Sequence, residues 1–233
     1  SAEIQILCGA GFDVVPTDCM AAMLAEKMPD AHQLELGFAW AGGGVSHGTA
    51  MTLVENLGAP SKERINGNIV SIPLAAHVKI LTFEGKQKSL ASIPWGDVAT
   101  AFYTTGIPNI RTYMGMPPSQ IRWAKWSRYF KWILQNDWVK NRMRSKIANQ
   151  PSGPDAKRRA NAVSYIWGEA KNETGDKVSS VLKAPEGYTL TAHTGLTCVE
   201  HVLKGNYKVG YQTPATAYGA DFILSFEGVK ILR

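Results

Sequence analysis

Three short stretches hold residues whose types and spacing could do chemistry. The first is Cys8-Gly9-Ala10-Gly11-Phe12-Asp13-Val14-Val15-Pro16-Thr17-Asp18, a glycine-rich turn carrying two carboxylates. A turn of this kind between a strand and a helix lies at the carboxyl end of the strand, where α/β sheets bind ligands. It begins like the dinucleotide fingerprint G-x-G-x-x-G. However, Val14 stands where the third glycine belongs, and Pro16 interrupts the helix that should begin there. The second stretch is Gly42-Gly43-Gly44-Val45-Ser46-His47-Gly48-Thr49-Ala50. Ser46 is placed to cap a helix whose small first-turn residues leave backbone N–H groups open to an anion, and His47 could add a donor. The anion could be a substrate carboxylate, a thioester oxygen or a phosphate; the alternative is a tight turn packed under another element. The third is Pro94-Trp95-Gly96-Asp97, followed by Thr104-Thr105-Gly106-Ile107-Pro108-Asn109. Asp97 either caps a short helix or faces a cleft beside the flat wall of Trp95, and the hydroxyls either line a pocket or satisfy a turn. No residue stands out as a general acid, and His193, on a helix, reads as structural.

The elements that must position these residues follow from local signals. Ile4 to Cys8 reads as a buried strand, and Met20, Met23 and Leu24 as one face of the helix after it, with Thr17 or Asp18 as its cap. Leu34 to Trp40 reads as a strand, and a helix runs from Ser46 to about Leu57, stopped by Gly58 and Pro60. Residues 68–72 are a short apolar stretch. Val78–Phe83 and Gln87–Ile93 form a hairpin around Glu84-Gly85-Lys86, and Ala162–Lys171 with Lys177–Lys183 form another around Thr174-Gly175-Asp176. A short helix covers Val98–Thr105, and Ile110–Met114 is a strand. Gln150 to Asp155 is a break. Helices are expected from about Tyr188 to Lys204, and from Thr213 and Pro214 to about Phe226.

Composition bounds the answer. The 233 residues, 45% hydrophobic, suit one soluble domain or a little more. No apolar run reaches the roughly 20 residues of a membrane span. Cys8, Cys19 and Cys198 form no C-x-x-C pair, so neither a disulfide framework nor a metal site is expected, and a reducing cytoplasm fits. The net charge of +6 suits anionic partners. Between Arg122 and Lys146 eight basic residues face a single acid, Asp137, while Trp123, Trp126, Phe130, Ile133, Leu134 and Trp138 recur at helical spacing. This segment, within 118–149, packs its aromatic stripe on the body or a second subunit, or lies on a membrane surface; with no recognised binding module beside it, nucleic acid is not expected.

The motifs together resemble the saccharopine dehydrogenase-like oxidoreductases, a group that includes the trans-acting enoyl reductases. Cys8 to Asp18 is similar to their C-G-F-D-S-I-P-S-D segment, and Gly42 to Ala50 to G-G-x-S-G-G-T. Ile93 to Asp97 with Thr104 to Ile110 is similar to P-W-G-D…S-T-G-I-P-N-I, and Pro185 to Tyr188 with Thr213 to Gly219 to the closing P-D-G-Y…T-P-A-x-A-x-G. The resemblance implies an α/β fold, with an α+β substrate domain whose mixed or largely antiparallel sheet is covered by helices. It also implies hydride transfer between NAD(P)H and a C=C or C=N bond. Gly11, Phe12, Asp13 and Pro16 would lie near the cofactor, and Ser46, His47, Gly48, Thr49, Trp95 and Asp97 would face a small or acyl-type substrate.

Family members begin with a nucleotide-binding domain carrying the full glycine turn. With no initiator methionine and an opening Ser1-Ala2, the chain is expected to be the carboxyl-terminal portion of such a protein. Residues 1–30 would be the last strand and helix of that domain, 31–204 a substrate-binding and dimerisation domain, and 205–233 a terminal helix packing back on the nucleotide domain. On that reading Phe222, Ile223 and Phe226 would be exposed or covered by a second copy. The chain alone would be inactive, hold NAD(P) weakly and form a homodimer.

Overall fold

The structure is a computed structural model describing residues 3–56, 58–149, 153 and 155–232. Ser1-Ala2, the expected helix end at Leu57, and Gln150 to Ser152 and Pro154 of the expected break lie outside the described residues. In chain order the first elements are β1 (Gln5–Leu7), α1 (Val15–Lys27), β2 (Ala31–Ala41) and α2 (His47–Glu55). The hairpins β3–β4 (Ser61–Ile65, Asn68–Ile72) and β5–β6 (Val78–Phe83, Lys86–Ser92) follow, then α3 (Asp97–Thr105) and β7 (Asn109–Gly115). A helical stretch holds α4 (Pro118–Ser127), a 3-10 turn (Arg128–Phe130), α5 (Lys131–Leu134), α6 (Asp137–Ala148) and α7 (Ala156–Ala160). Then come β8 (Val163–Asn172), β9 (Lys177–Pro185), α8 (Gly187–Leu203), β10 (Gly210–Gln212), α9 (Pro214–Tyr218), a 3-10 turn (Phe222–Ser225) and β11 (Lys230–Ile231).

Nine strands form one mixed sheet, in the order β11-β9-β8-β2-β7. The outer edge of β7 then forks: Arg64 of β3 pairs with Ile110, while Leu90 to Ser92 of β6 pair with Tyr113 to Gly115. Among the described residues only β2 and β7 run parallel in this sheet; the other neighbours are antiparallel. The α/β fold with a mixed, helix-covered sheet agrees with the expectation.

Period-two alternation sorts side chains between the two faces. Leu34, Leu36 and Phe38 of β2, Ile110 of β7, Ile166 and Ala170 of β8 and Leu182 and Ala184 of β9 meet Val15, Cys19, Met20 and Leu24 of α1. The helix comes so close to the sheet that a Cβ at Gly168 would lie 2.6 Å from Leu24 Cδ1 and Met20 Cγ. On the opposite face the β5–β6 hairpin folds over Tyr113, Tyr165 and Trp167, with Phe83 stacked on Tyr165 at 5.1 Å and Leu90 over Gly37. Glu84 and Gly85 turn this hairpin with positive φ at both positions, as a two-residue loop of matching twist requires.

Several expectations are corrected. The strand read as buried leaves Ile4 and Ile6 56% and 52% exposed; β1 pairs in parallel with β10, from Gln5–Gly210 to Leu7–Gln212, as a separate two-stranded sheet. Pro16 does not break α1; it sits in the first turn, where its missing N–H costs nothing. Neither Thr17 nor Asp18 caps the helix: Val14 is the N-cap, without a side-chain bond. The strand β3 was not anticipated.

The last helix stops at Tyr218, because Gly219 leaves it at φ 101°, and Phe222 to Ser225 make a 3-10 turn. Phe222, Ile223 and Phe226 are buried in this chain's own core against α1, not exposed. Burial of this kind contributes about 1.5–3 kcal/mol per side chain.

Candidate active site

The Gly9–Asp13 turn and the Gly42–Thr49 turn are joined by the first turns of α8. Glu186 caps this helix, its carboxylate accepting from the Thr189 amide at 3.0 Å. The Phe12 amide donates to Thr191 Oγ1 at 3.0 Å, and Thr194 Oγ1 donates to the Ala10 carbonyl at 2.8 Å. Gly11 is glycine because of this contact: a Cβ there would meet Thr191 Cγ2 at 2.9 Å. The Ser46 amide donates to the Tyr188 hydroxyl at 2.8 Å, and Thr49 Oγ1 lies 3.0 Å from the same oxygen.

Beside this junction opens a cavity of about 440 Å³ lined by Ser46, Arg159, Tyr188, Thr189 and His193, with Gly153 and Ala192. Its lining side chains include a guanidinium, an imidazole and the hydroxyls of Ser46, Tyr188 and Thr189. The guanidinium is the group there that suits a carboxylate or phosphate. Ser46 caps α2 as expected, accepting from the Thr49 amide at 3.2 Å. The Thr49 and Ala50 amides, expected to be open, are both spent on Ser46, through its side chain and its carbonyl at 2.9 Å. Of the second stretch, Ser46 lines the cavity, while His47, Gly48 and Thr49 lie behind it on α2.

An aromatic wall connects this side to the third stretch. Phe12 meets Phe38 edge-on at 5.7 Å, and Phe38 meets Trp40 at 5.1 Å and Trp95 at 4.7 Å. Phe12 and Pro16 are buried, while Asp13 is exposed. Trp40 is 37% exposed and Trp95 half-buried, so these two present the accessible ring surface. Asp97 takes neither expected role. Gly96 is the N-cap of α3, and Asp97 lies inside the first turn, fully buried, with no hydrogen-bond partner on either carboxyl oxygen among the described residues. Burial pushes its carboxyl well above the ordinary carboxylate range, and the charges of Asp18 and Asp13 add to the shift. The nearby Thr17 works in the opposite sense, but its hydroxyl donates to the Val14 carbonyl at 3.1 Å. Trp95 Nε1 and Thr100 Oγ1 are also buried without a hydrogen-bond partner among the described residues.

Sequence reasoning missed several participants. Tyr188 and Arg159 join the site through contacts made across the fold, and His193 lines the cavity. Asp18 ties three elements together: it accepts from Ala215 N at 2.8 Å and from the Thr104 hydroxyl, which lies 2.7 Å from Thr213 Oγ1. The outer sheet face holds an unforeseen ion cluster. Glu35 pairs with Lys79 and, at 3.3 Å, with Arg111; Arg111 also meets Glu63 at 2.5 Å, and Tyr113 donates to Glu35 at 2.7 Å. Burial alone would raise the Glu35 carboxyl, but the hydrogen bonds from Lys79 and Tyr113 and the two cations hold it below its ordinary value.

No protein-family model matches the chain, and no curated protein matches it. Solved structures do. The apo form of saccharopine dehydrogenase (L-Glu forming) from Saccharomyces cerevisiae superposes with a TM-score of 0.59 at 10% identity, covering 99% of this chain and 75% of that one. The chain has a saccharopine dehydrogenase-like fold. Within that fold the glycine turn, the aromatic wall and the cavity lie along one run of contacts, from Ala10 through α8 to Ser46. Among the described residues no cluster of His, Cys, Asp and Glu could hold a metal ion, and no helix is long and apolar enough to cross a membrane.

Proposed function

We propose that this chain is the substrate-binding portion of an NAD(P)-dependent oxidoreductase, acting by hydride transfer to or from a C=C or C=N bond of a substrate bearing an anionic group. The observation that carries the reading is the junction at α8, which holds an anion-accepting cavity and a glycine turn with its aromatic wall through one helix end. The fold it shares with a dehydrogenase supports the reaction class.

The residues present fit only one end of the cofactor. Val14 stands where the dinucleotide fingerprint has its third glycine, and its side chain packs so close to Gly9 that a Cβ there would lie 2.3 Å away. What this chain offers is flat ring surface at Trp40 and Trp95, each packed against Phe38. The bound cofactor would supply the hydride. The chain's own residues anchor the substrate's anionic group through Arg159 and His193, beside the Tyr188 and Ser46 hydroxyls, and exclude water on the side of Phe12 and Phe38.

Calorimetry with NADPH and NADH tests this. The expected result is weak binding with quenching of tryptophan emission and no turnover by this chain alone. Tight binding would overturn the division of labour between this chain and the phosphate-binding turn it lacks.

A further inference from the structure

Of the placements that the sequence leaves open for the aromatic stripe within 118–149, packing on the body of this chain is not the one the structure adopts. In α4 the buried face is Ile121, Ala124 and Ser127, while Trp123 and Trp126 point outward, 52% and 65% exposed. Beyond it Trp132 and Trp138 are 77% and 73% exposed, and neither α5 nor α6 buries a single residue. Packing within this chain does not explain these rings, since large apolar groups gain nothing by standing in water.

Charge says what covers them. This segment carries eight cations and one acid, while the rest of the chain carries 17 cations and 18 acids, so the whole positive excess of the protein lies here. Arg144 pairs with Glu55 at 2.5 Å and Lys140 bonds the Glu55 carbonyl at 3.1 Å, fastening the lobe to the end of α2. Arg122, Lys125, Arg128, Lys131, Arg142 and Lys146 form no ion pair among the described residues.

We propose that this lobe docks on the surface of an anionic lipid bilayer. Tryptophan rings settle at headgroup depth, where their apolar bodies leave water and their N–H groups stay solvated, and Lys and Arg side chains reach the lipid phosphates. A second copy of the chain is disfavoured, because a two-fold contact would set this row of cations against itself. α2 links the lobe to the cavity: Ser46 at its start lines the cavity and Glu55 at its end holds α6, about 14 Å apart for nine helical residues. The bilayer contact stands whether or not the oxidoreductase reading does.

The test is cosedimentation of the whole chain with vesicles of phosphatidylcholine and phosphatidylglycerol, against vesicles of phosphatidylcholine alone, at low and physiological salt. The expected result is salt-sensitive partitioning to the anionic vesicles, with tryptophan emission shifted to the blue and quenched by brominated acyl chains. A variant carrying Trp126→Ser, Trp132→Ser and Trp138→Ser should bind roughly tenfold more weakly with an unchanged circular dichroism spectrum. No binding at low salt would overturn the proposal. So would binding without bromolipid quenching that a single-stranded RNA displaces, which marks a polyanion site, or a dimer in light scattering whose tryptophans are shielded.

Discussion

The Ser46 amide and the Tyr188 hydroxyl, 142 positions apart in the chain, are joined at 2.8 Å, and through this bond the cap of α2 is held against the first turn of α8. The same oxygen contacts the Thr49 hydroxyl, so one side chain sets the register of two helix ends. Tyr188→Phe should remove both bonds while leaving the ring in place. The expected loss is about 1 kcal/mol, modest because Tyr188 is partly exposed. Faster amide exchange should appear at residues 46–50, and not in β8 or β9, when hydrogen exchange is followed by mass spectrometry.

Asp97 should make the protein less stable as pH rises. Its folded-state acidity is shifted above the ordinary value of 3.8, so the folded chain keeps a proton that the unfolded chain releases. Its contribution is complete below pH 3.8 and declines upward from there, with a slope of at most about 1.4 kcal/mol per pH unit. Asp97→Asn keeps the shape and removes the titration. Urea midpoints should therefore show the variant gaining on the parent between pH 4 and pH 7; a constant difference would show that Asp97 ionises as freely in the fold as outside it.

The ion cluster on the outer sheet face should respond differently to single and paired changes. Glu35→Ala leaves Lys79 and Arg111 beside a buried wall without their shared anion. The expected cost is about 2–3 kcal/mol, below that of a fully buried pair because the two cations are 28% and 24% exposed. Glu35→Leu together with Lys79→Leu removes both charges and should recover part of this loss in a denaturant titration.

Gly168→Ala tests how closely α1 sits on β8. The added methyl group meets Leu24 and Met20 side-chain atoms at 2.6 Å, and both belong to the fully buried core. Overpacking of about 1–3 kcal/mol is expected, read as a lowered melting temperature. Gly85→Ala, with no atom within 4 Å of the new methyl group, should instead show only the strain of its positive φ.

What the sequence made legible was local. Ser46 names its own helix cap, and the hairpins at Glu84-Gly85 and Thr174-Gly175-Asp176 are specified by turn residues between alternating runs. The chemistry that depended on register was hidden. Glu35 faces Arg111 across the parallel β2–β7 pair, a pairing no short window of sequence contains. Tyr188 and Arg159 reach the cavity only once α7 and α8 are packed. The carboxyl-terminal segment misled for another reason: helical spacing continues through Phe222 and Phe226, but Gly219 ends the helix, and burial in the core fixes the rest. In the basic segment periodicity alone could not say which face meets the body: Ile121, Ala124 and Ser127 make the contact, and the tryptophans face away.

The central claim is that this chain meets a dinucleotide at its nicotinamide end and not at its phosphates. Amide-resolved nuclear magnetic resonance would compare reduced nicotinamide mononucleotide with adenosine 2′,5′-bisphosphate as probes. The mononucleotide should shift the amides of Gly11 to Asp13 and the indole signals of Trp40 and Trp95, and the bisphosphate should leave residues 9–16 unmoved. Shifts at Gly9 to Gly11 with the bisphosphate, and none with the mononucleotide, would contradict it.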